Sequence, residues 1–211
     1  MKESHLILKN VSAGYNGVKI ISNVSFEVNQ GEKLLITGSN GSGKSTLLKT
    51  IARIINDNSG DIIYNGKSLC DYRTDQLNSI GISYFKQGGI FIPSLTIDEH
   101  LFLALKGKKK ERRDELLLKA KTLFPLLKNK GTLLAGNLSG GQRLSLSCGI
   151  LICQDSNLWL MDEPTAGLDQ DKRNILINFL NNETKITMLL VEHMLENINI
   201  SKMYKIKNYD D

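Results

Sequence analysis

The sequence predicts an α/β domain with a parallel-sheet core, an N-terminal antiparallel β region and an inserted helical lobe. Three observations carry that expectation. A compact apolar run at residues 33–37 passes through a glycine-rich turn straight into a helix-patterned segment, the order of a parallel α/β unit. Two further buried-strand patterns, residues 157–161 and 187–191, recur late in the chain. The stretch between, residues 88–156, is helical in pattern and reads as a lobe inserted into the core. The 211 residues suit one domain, 1–211.

In chain order, Leu6-Ile7-Leu8 and residues 24–28 are strand-like, with Gly14, Asn16 and Gly17 punctuating them. Residues 45–54 read as a helix with Leu47, Leu48, Ile51, Ile54 and Ile55 on one side. Residues 56–60 end it, and a strand follows from Asp61. Thr96-Ile97-Asp98-Glu99 is a capping box opening the lobe. Residues 116–127 resume helical spacing, and a further helix runs from about Ser139 to Ile152. The basic run at residues 106–113 reads as a solvated linker or helix face, because Asp114 and Glu115 follow at once.

Composition narrows the function. The chain is 41% hydrophobic and 23% charged, enough to fill a core and exclude wholesale disorder. No run approaches the roughly 18 apolar residues of a spanning helix, and Met1-Lys2-Glu3-Ser4-His5 does not read as a secretory signal. Three cysteines, Cys70, Cys148 and Cys153, form no CxxC pair and are expected in the core with Trp159, in a reducing compartment. A net charge of +5 suits an anionic ligand or a membrane face.

Gly38-Ser39-Asn40-Gly41-Ser42-Gly43-Lys44-Ser45 matches G-x-x-x-x-G-K-[ST] without a gap. Its glycines let successive amides point at phosphate oxygens at the positive end of the next helix. Lys44 is expected to neutralise β/γ-phosphates, Ser45 to ligate Mg²⁺, and Thr46 to reach an α-phosphate. The core is thus expected to be a P-loop NTPase. Residues 158–163 form an apolar strand ending in Asp162 and Glu163, at the carboxyl end where ligands bind in parallel sheets. Asp162 could hold Mg²⁺ through its waters and Glu163 could polarise an attacking water. Either could instead cap the next helix.

Leu138-Ser139-Gly140-Gly141-Gln142 lies between those motifs. Ser139 is a helix N-cap and the two glycines bare their amides, a second anion-binding helix terminus. With LSGGQ behind a P-loop, the chain resembles the nucleotide-binding subunits of ATP-binding cassette (ABC) transporters over nearly its whole length. The resemblance implies an ATPase using ATP and Mg²⁺. It assigns Tyr15 to adenine stacking, Gln87 to the metal and the attacking water, Asp169 to the loop crossing to a partner cassette, and His193 to the γ-phosphate. Singly, each has a plain alternative: a packed turn residue, a solvated loop residue, a helix cap and a strand-end histidine. Their joint order favours the functional set. His5 and His100 match no motif. Residues 88–96, with Leu123-Phe124-Pro125-Leu126-Leu127-Lys128 and Leu134-Ala135-Gly136-Asn137-Leu138, are similar to the ATPases of branched-chain amino-acid uptake systems.

The family mechanism implies two cassettes, identical or not, arranged head-to-tail. Ser139, Gly140, Gly141 and Gln142 of one then face the nucleotide held by the other. It also implies an integral membrane permease docking near residues 87–96, no nucleic-acid partner, and a cytoplasmic location on the inner face of the membrane. The rival is a soluble ABC ATPase in an assembly role such as iron–sulfur cluster biogenesis, which shares every catalytic motif.

Overall fold

The computed structural model describes residues 4–192 and 197–206. It begins with a hairpin of β1 (Ser4–Tyr15) and β2 (Val18–Asn29). Tyr15 pairs directly with Val18, and Asn16 and Gly17 take φ of 51° and 78°, the left-handed pair whose twist suits a two-residue hairpin. β3 (Lys33–Thr37) and α1 (Lys44–Ile51) follow, then β4 (Asn58–Tyr64) and β5 (Lys67–Ser68). The first, antiparallel sheet has the order β2-β1-β4-β5.

β6 (Ile82–Phe85) leads into the helices α2 (Ile97–Ala104), α3 (Lys110–Leu123), α4 (Leu126–Asn129) and α5 (Gly140–Gln154). The chain returns through β7 (Leu158–Asp162), α6 (Gln170–Asn182), β8 (Thr187–Val191) and β9 (Lys202–Lys205). The second sheet runs β6-β7-β8-β3-β9 with every pair parallel. Strand alternation divides its side chains between two cores. Leu158 and Leu160 pack with Leu34, Ile36 and α1 towards the first sheet. Trp159 and Met161 pack with Leu35, α5 and α6 on the other face. Both faces are covered, which is why β7 and β8 are buried at every residue.

Some expectations need correction. The first helix ends at Ile51 rather than Ile54, and the next strand begins at Asn58 rather than Asp61. Arg53 turns left-handed at φ 55°, its guanidinium donating to Asn58 Oδ1 at 3.0 Å, and Asn58 already pairs with Ala13. That reversal buries Ile55 and leaves Ile54 at 48% exposure. Cys70 is not in the core; it is exposed on a 3₁₀ turn after β5. Cys148 and Cys153 are buried, and burial pushes the Cys153 thiol up to about 12 and Cys148 up as well, so both behave as core residues rather than nucleophiles.

The helical segment shows the Thr96 capping box: Thr96 Oγ1 accepts from the Glu99 amide and Glu99 Oε2 accepts from the Thr96 amide. Pro125 separates α3 from α4. The basic run does more than face solvent. Lys108 Nζ donates to the Gln154 carbonyl at 2.9 Å and Arg112 pairs with Asp155, placing cations at the negative end of α5. His5 and His100 are both buried. His100 donates from Nδ1 to the Thr96 carbonyl and accepts the Ile92 amide at Nε2, which ties residue 92 to α2.

Candidate functional site

The phosphate loop leaves β3 and enters α1. Its conformation requires glycine at Gly43, where φ is 91° and a Cβ would lie 2.3 Å from Ile21 Cγ2. Gly41, also left-handed, faces open space. Lys44 is almost fully buried, its ammonium donating to the Gly38 and Ser39 carbonyls at 2.9 and 2.8 Å. The Ser42 hydroxyl is buried without a hydrogen-bond partner among the described residues, an uncommon state for a buried polar group. Asn40, Gly41, Gly43, Lys44, Ser45, Thr46, Ile20 and Glu163 line a cleft of about 520 Å³. Its walls supply amides, an ammonium and hydroxyls, the donors that hold phosphate oxygens.

Across the cleft, the carboxyl ends of β3, β8 and β7 align through the pairs Ile36–Val191 and Val191–Asp162. Ser45 Oγ donates to Asp162 Oδ1 at 2.7 Å, and Tyr84 on β6 donates its hydroxyl to Asp162 Oδ2 at 3.1 Å. Burial, then the facing Asp162 charge, pushes the Tyr84 phenol above its ordinary range. Glu163 takes a left-handed φ of 46°, an unusual conformation for a side chain of this kind. Its amide donates to the Val191 carbonyl, and its Oε2 accepts from Gln87 Nε2 at 3.1 Å. Ser45 and Asp162, joined at 2.7 Å, offer only oxygens to a metal, which suits Mg²⁺, while Gln87 is held at Glu163.

Ser139, Gly140 and Gly141 do not line this cleft. Ser139 caps α5, accepting the Gln142 amide while Gln142 Oε1 accepts the Ser139 amide. Gly140 borders a separate cavity of about 160 Å³ with Gly88, Gly89, Pro164, Ala166, Gly167 and Leu168. Asp169 caps α6, accepting the Lys172 amide at 3.0 Å. Its pairing with the Lys172 ammonium, then that amide, holds its carboxyl below the usual range. The Lys172 stem also lies against Gly141, where a Cβ would be 2.8 Å from Cε. Tyr15 sits half-exposed at the hairpin tip, outside the cleft lining. His193 lies outside the described residues.

Some polar partners escape the motifs. Thr165 donates through its amide and hydroxyl to Glu192 Oε2 at 3.1 and 2.6 Å, joining the turn after Glu163 to the end of β8. Tyr84 was legible only through strand alternation, which puts Phe85 on the helical face and Tyr84 on the phosphate-loop face. No sequence motif marks Lys172.

Known proteins resemble this chain over most of its length. The family model described as ABC transporter matches residues 21–166. A probable branched-chain amino acid transport ATP-binding protein, LivF of Archaeoglobus fulgidus, is 31% identical over 88% of this chain and 80% of its own. A putative hemin import ATP-binding protein, HrtA of Staphylococcus haemolyticus, is 32% identical over 82% of this chain and 80% of its own. Among solved structures, the ADP conformation of an ATP-binding cassette of an ABC transporter superposes with a TM-score of 0.79 at 26% identity, covering 97% of this chain and 87% of that one.

Proposed function

This chain belongs to the ABC transporter family, and from that premise we propose that it is the ATP-hydrolysing subunit of a transporter, pairing with a second cassette around MgATP and driving a separate membrane permease. The observation that carries the reading is the split between the two anion-binding helix ends. The phosphate loop and Glu163 share one cleft, while Gly140 opens with the segment before Asp169 onto another surface. One chain therefore holds a nucleotide on one side only, and a second cassette brings Ser139, Gly140, Gly141 and Gln142 to it.

In this reading Lys44 and the amides of residues 38–46 bind the phosphates, and Tyr15 stacks on adenine. Glu163 orients water for in-line attack, Gln87 and His193 position that water and the γ-phosphate, and Asp169 meets the partner cassette. Ser45, Asp162 and Gln87 would hold Mg²⁺, which would supply positive charge beside the phosphates. Residues 88–156 form the helical subdomain of a single nucleotide-binding domain. Among the described residues no helix is long and apolar enough to cross a membrane. In this reading the permease is a separate chain and this subunit sits at the inner face of the membrane. The two relatives described above are named for transport, which favours this over an assembly role.

The test is Glu163→Gln, which keeps the side-chain shape and removes the charge that polarises water. Hydrolysis is expected to collapse while ATP binding persists, and size exclusion with light scattering is expected to show a dimer on adding ATP. Ser139→Arg in the same background is expected to abolish the dimer and spare ATP binding. Hydrolysis at the parental rate would overturn the assignment of Glu163. A dead variant that stays monomeric with ATP assigns the pairing to a non-identical cassette.

A further inference from the structure

Asp162 is held on both oxygens. Ser45, one residue after the phosphate-loop lysine, donates to Oδ1 at 2.7 Å, and Tyr84 donates to Oδ2 at 3.1 Å from the neighbouring strand. The carboxylate is 6% exposed, so little water competes for either oxygen. A buried carboxylate with one partner can still turn about its Cβ–Cγ bond. With donors on both oxygens its plane is set, and Oδ1 is aimed at the Ser45 hydroxyl.

The two donors stand differently towards a ligand. Ser45 lies on the cleft wall, which neither Asp162 nor Tyr84 lines; Tyr84 is partly buried, packs with the apolar residues between α1 and the sheets, and borders a separate cavity of about 420 Å³ with Ile90 and Phe91. A ligand entering the cleft can compete for Ser45 without displacing Tyr84. The strands make this placement rigid: Tyr84 pairs with Leu160, two residues before Asp162 on β7.

We propose that Tyr84 is a positioning residue for the divalent cation, orienting Asp162 from behind so that Oδ1 and the Ser45 hydroxyl present a preset oxygen pair. Tyr84 touches neither metal nor nucleotide; it acts through Asp162. This rests on the reading of Asp162 as a metal-site residue and adds the group that holds it in place. Partners of this kind fix ligand geometry, and their loss typically weakens metal binding by about tenfold or more.

The test uses Mn²⁺ as the probe, read from the enzyme-bound EPR signal of the full chain with ADP present, so that no turnover enters the measurement. Tyr84→Phe removes only the hydroxyl, and the Mn²⁺ concentration giving half-saturation is expected to rise about tenfold. ADP affinity without metal is expected to stay within twofold of the parent. Asp162→Asn is expected to weaken Mn²⁺ at least as much, and adding Tyr84→Phe to it is expected to weaken Mn²⁺ no further, because both changes act through one carboxylate. An unchanged Mn²⁺ affinity in Tyr84→Phe, with Asp162→Asn weakened, overturns the role of Tyr84 and leaves Asp162 at the metal. An unchanged affinity in Asp162→Asn overturns the metal-site reading itself. Full additivity in the double variant also overturns the proposal, since it would mean that Tyr84 acts through general packing.

Discussion

Gln87 and Glu163 are joined by a side-chain hydrogen bond, the carboxamide Nε2 donating to Oε2 at 3.1 Å. They come from the ends of neighbouring parallel strands, β6 and β7, paired from Ile82–Leu158 to Phe85–Met161. Glu163 reaches this position by turning left-handed directly after Asp162. The turn separates two adjacent carboxylates, sending Asp162 towards Ser45 and Glu163 towards Gln87.

Loss of that partner is expected to slow chemistry more than binding. Gln87→Ala should lower kcat by about 10–100-fold, at or below the low end of the roughly 10²–10⁴-fold that a proton-transferring group contributes, because Gln87 acts through Glu163, with ATP affinity within twofold of the parent. Steady-state kinetics beside equilibrium nucleotide titration checks it. A variant with parental kcat would reduce the Gln87–Glu163 bond to loop packing.

Lys44 donates to two loop carbonyls, which orients its ammonium. Lys44→Ala should weaken ATP binding by about 1.5–3 kcal/mol, the scale of hydrogen bonds to charged groups. The melting temperature should move by only a few degrees, since no apolar core is touched. Calorimetric titration and a thermal melt separate the two effects. Near-parental ATPase activity in the folded variant would contradict the phosphate-loop reading.

Tyr15 stands half-exposed beside a rigid two-residue turn, a surface available to a base. Tyr15→Ala should cost about 1–2 kcal/mol of ATP affinity, as base stacking on aromatics does, and Tyr15→Trp should be tolerated. Titration with ATP, and with triphosphate lacking a base, tests it. Equal affinities of the two variants for ATP would return Tyr15 to the role of a turn residue.

Glu32 predicts a pH dependence of stability. Burial opposes its charge, but the Asn29 backbone and side-chain N–H groups and the Lys202 ammonium outweigh this and bring its pKa down to about 2, from 4.5. A carboxylate depressed in the folded state stabilises above its unfolded value and loses that contribution as pH falls through the folded one. Denaturation of the parent and of Glu32→Gln should differ by about 1 kcal/mol near neutrality, a figure discounted for partial exposure. The gap should close between about pH 4.5 and 2. A gap independent of pH would assign the effect to something other than the charge.

How far the sequence could be read depended on how local each feature is. The capping boxes at Thr96 and Ser139 are set within four residues, and both helices begin where the motif puts them. The end of α1 was misplaced because it depends on Arg53 and Asn58 meeting as β4 joins β1. β5 and β9 carry no apolar pattern of their own and exist through pairing with β4 and β3. The basic run 106–113 could be read as charge, but not as the clamp on the end of α5, because Gln154 and Asp155 lie more than 40 residues further along the chain.

The same distinction runs through the site. Phosphate recognition was written in consecutive residues, because a loop of left-handed glycines followed by a helix start makes its anion site from neighbouring amides. Asp162 and Glu163 were likewise visible as acids ending an apolar strand. Their division of labour was not, since it arises from the left-handed turn at Glu163 and from side chains 76 to 117 positions away. Parallel strands bring such residues together only once β6, β7, β8 and β3 lie in register. The pairing energy and the packing of both sheet faces set that register, and neither belongs to any single segment of the chain.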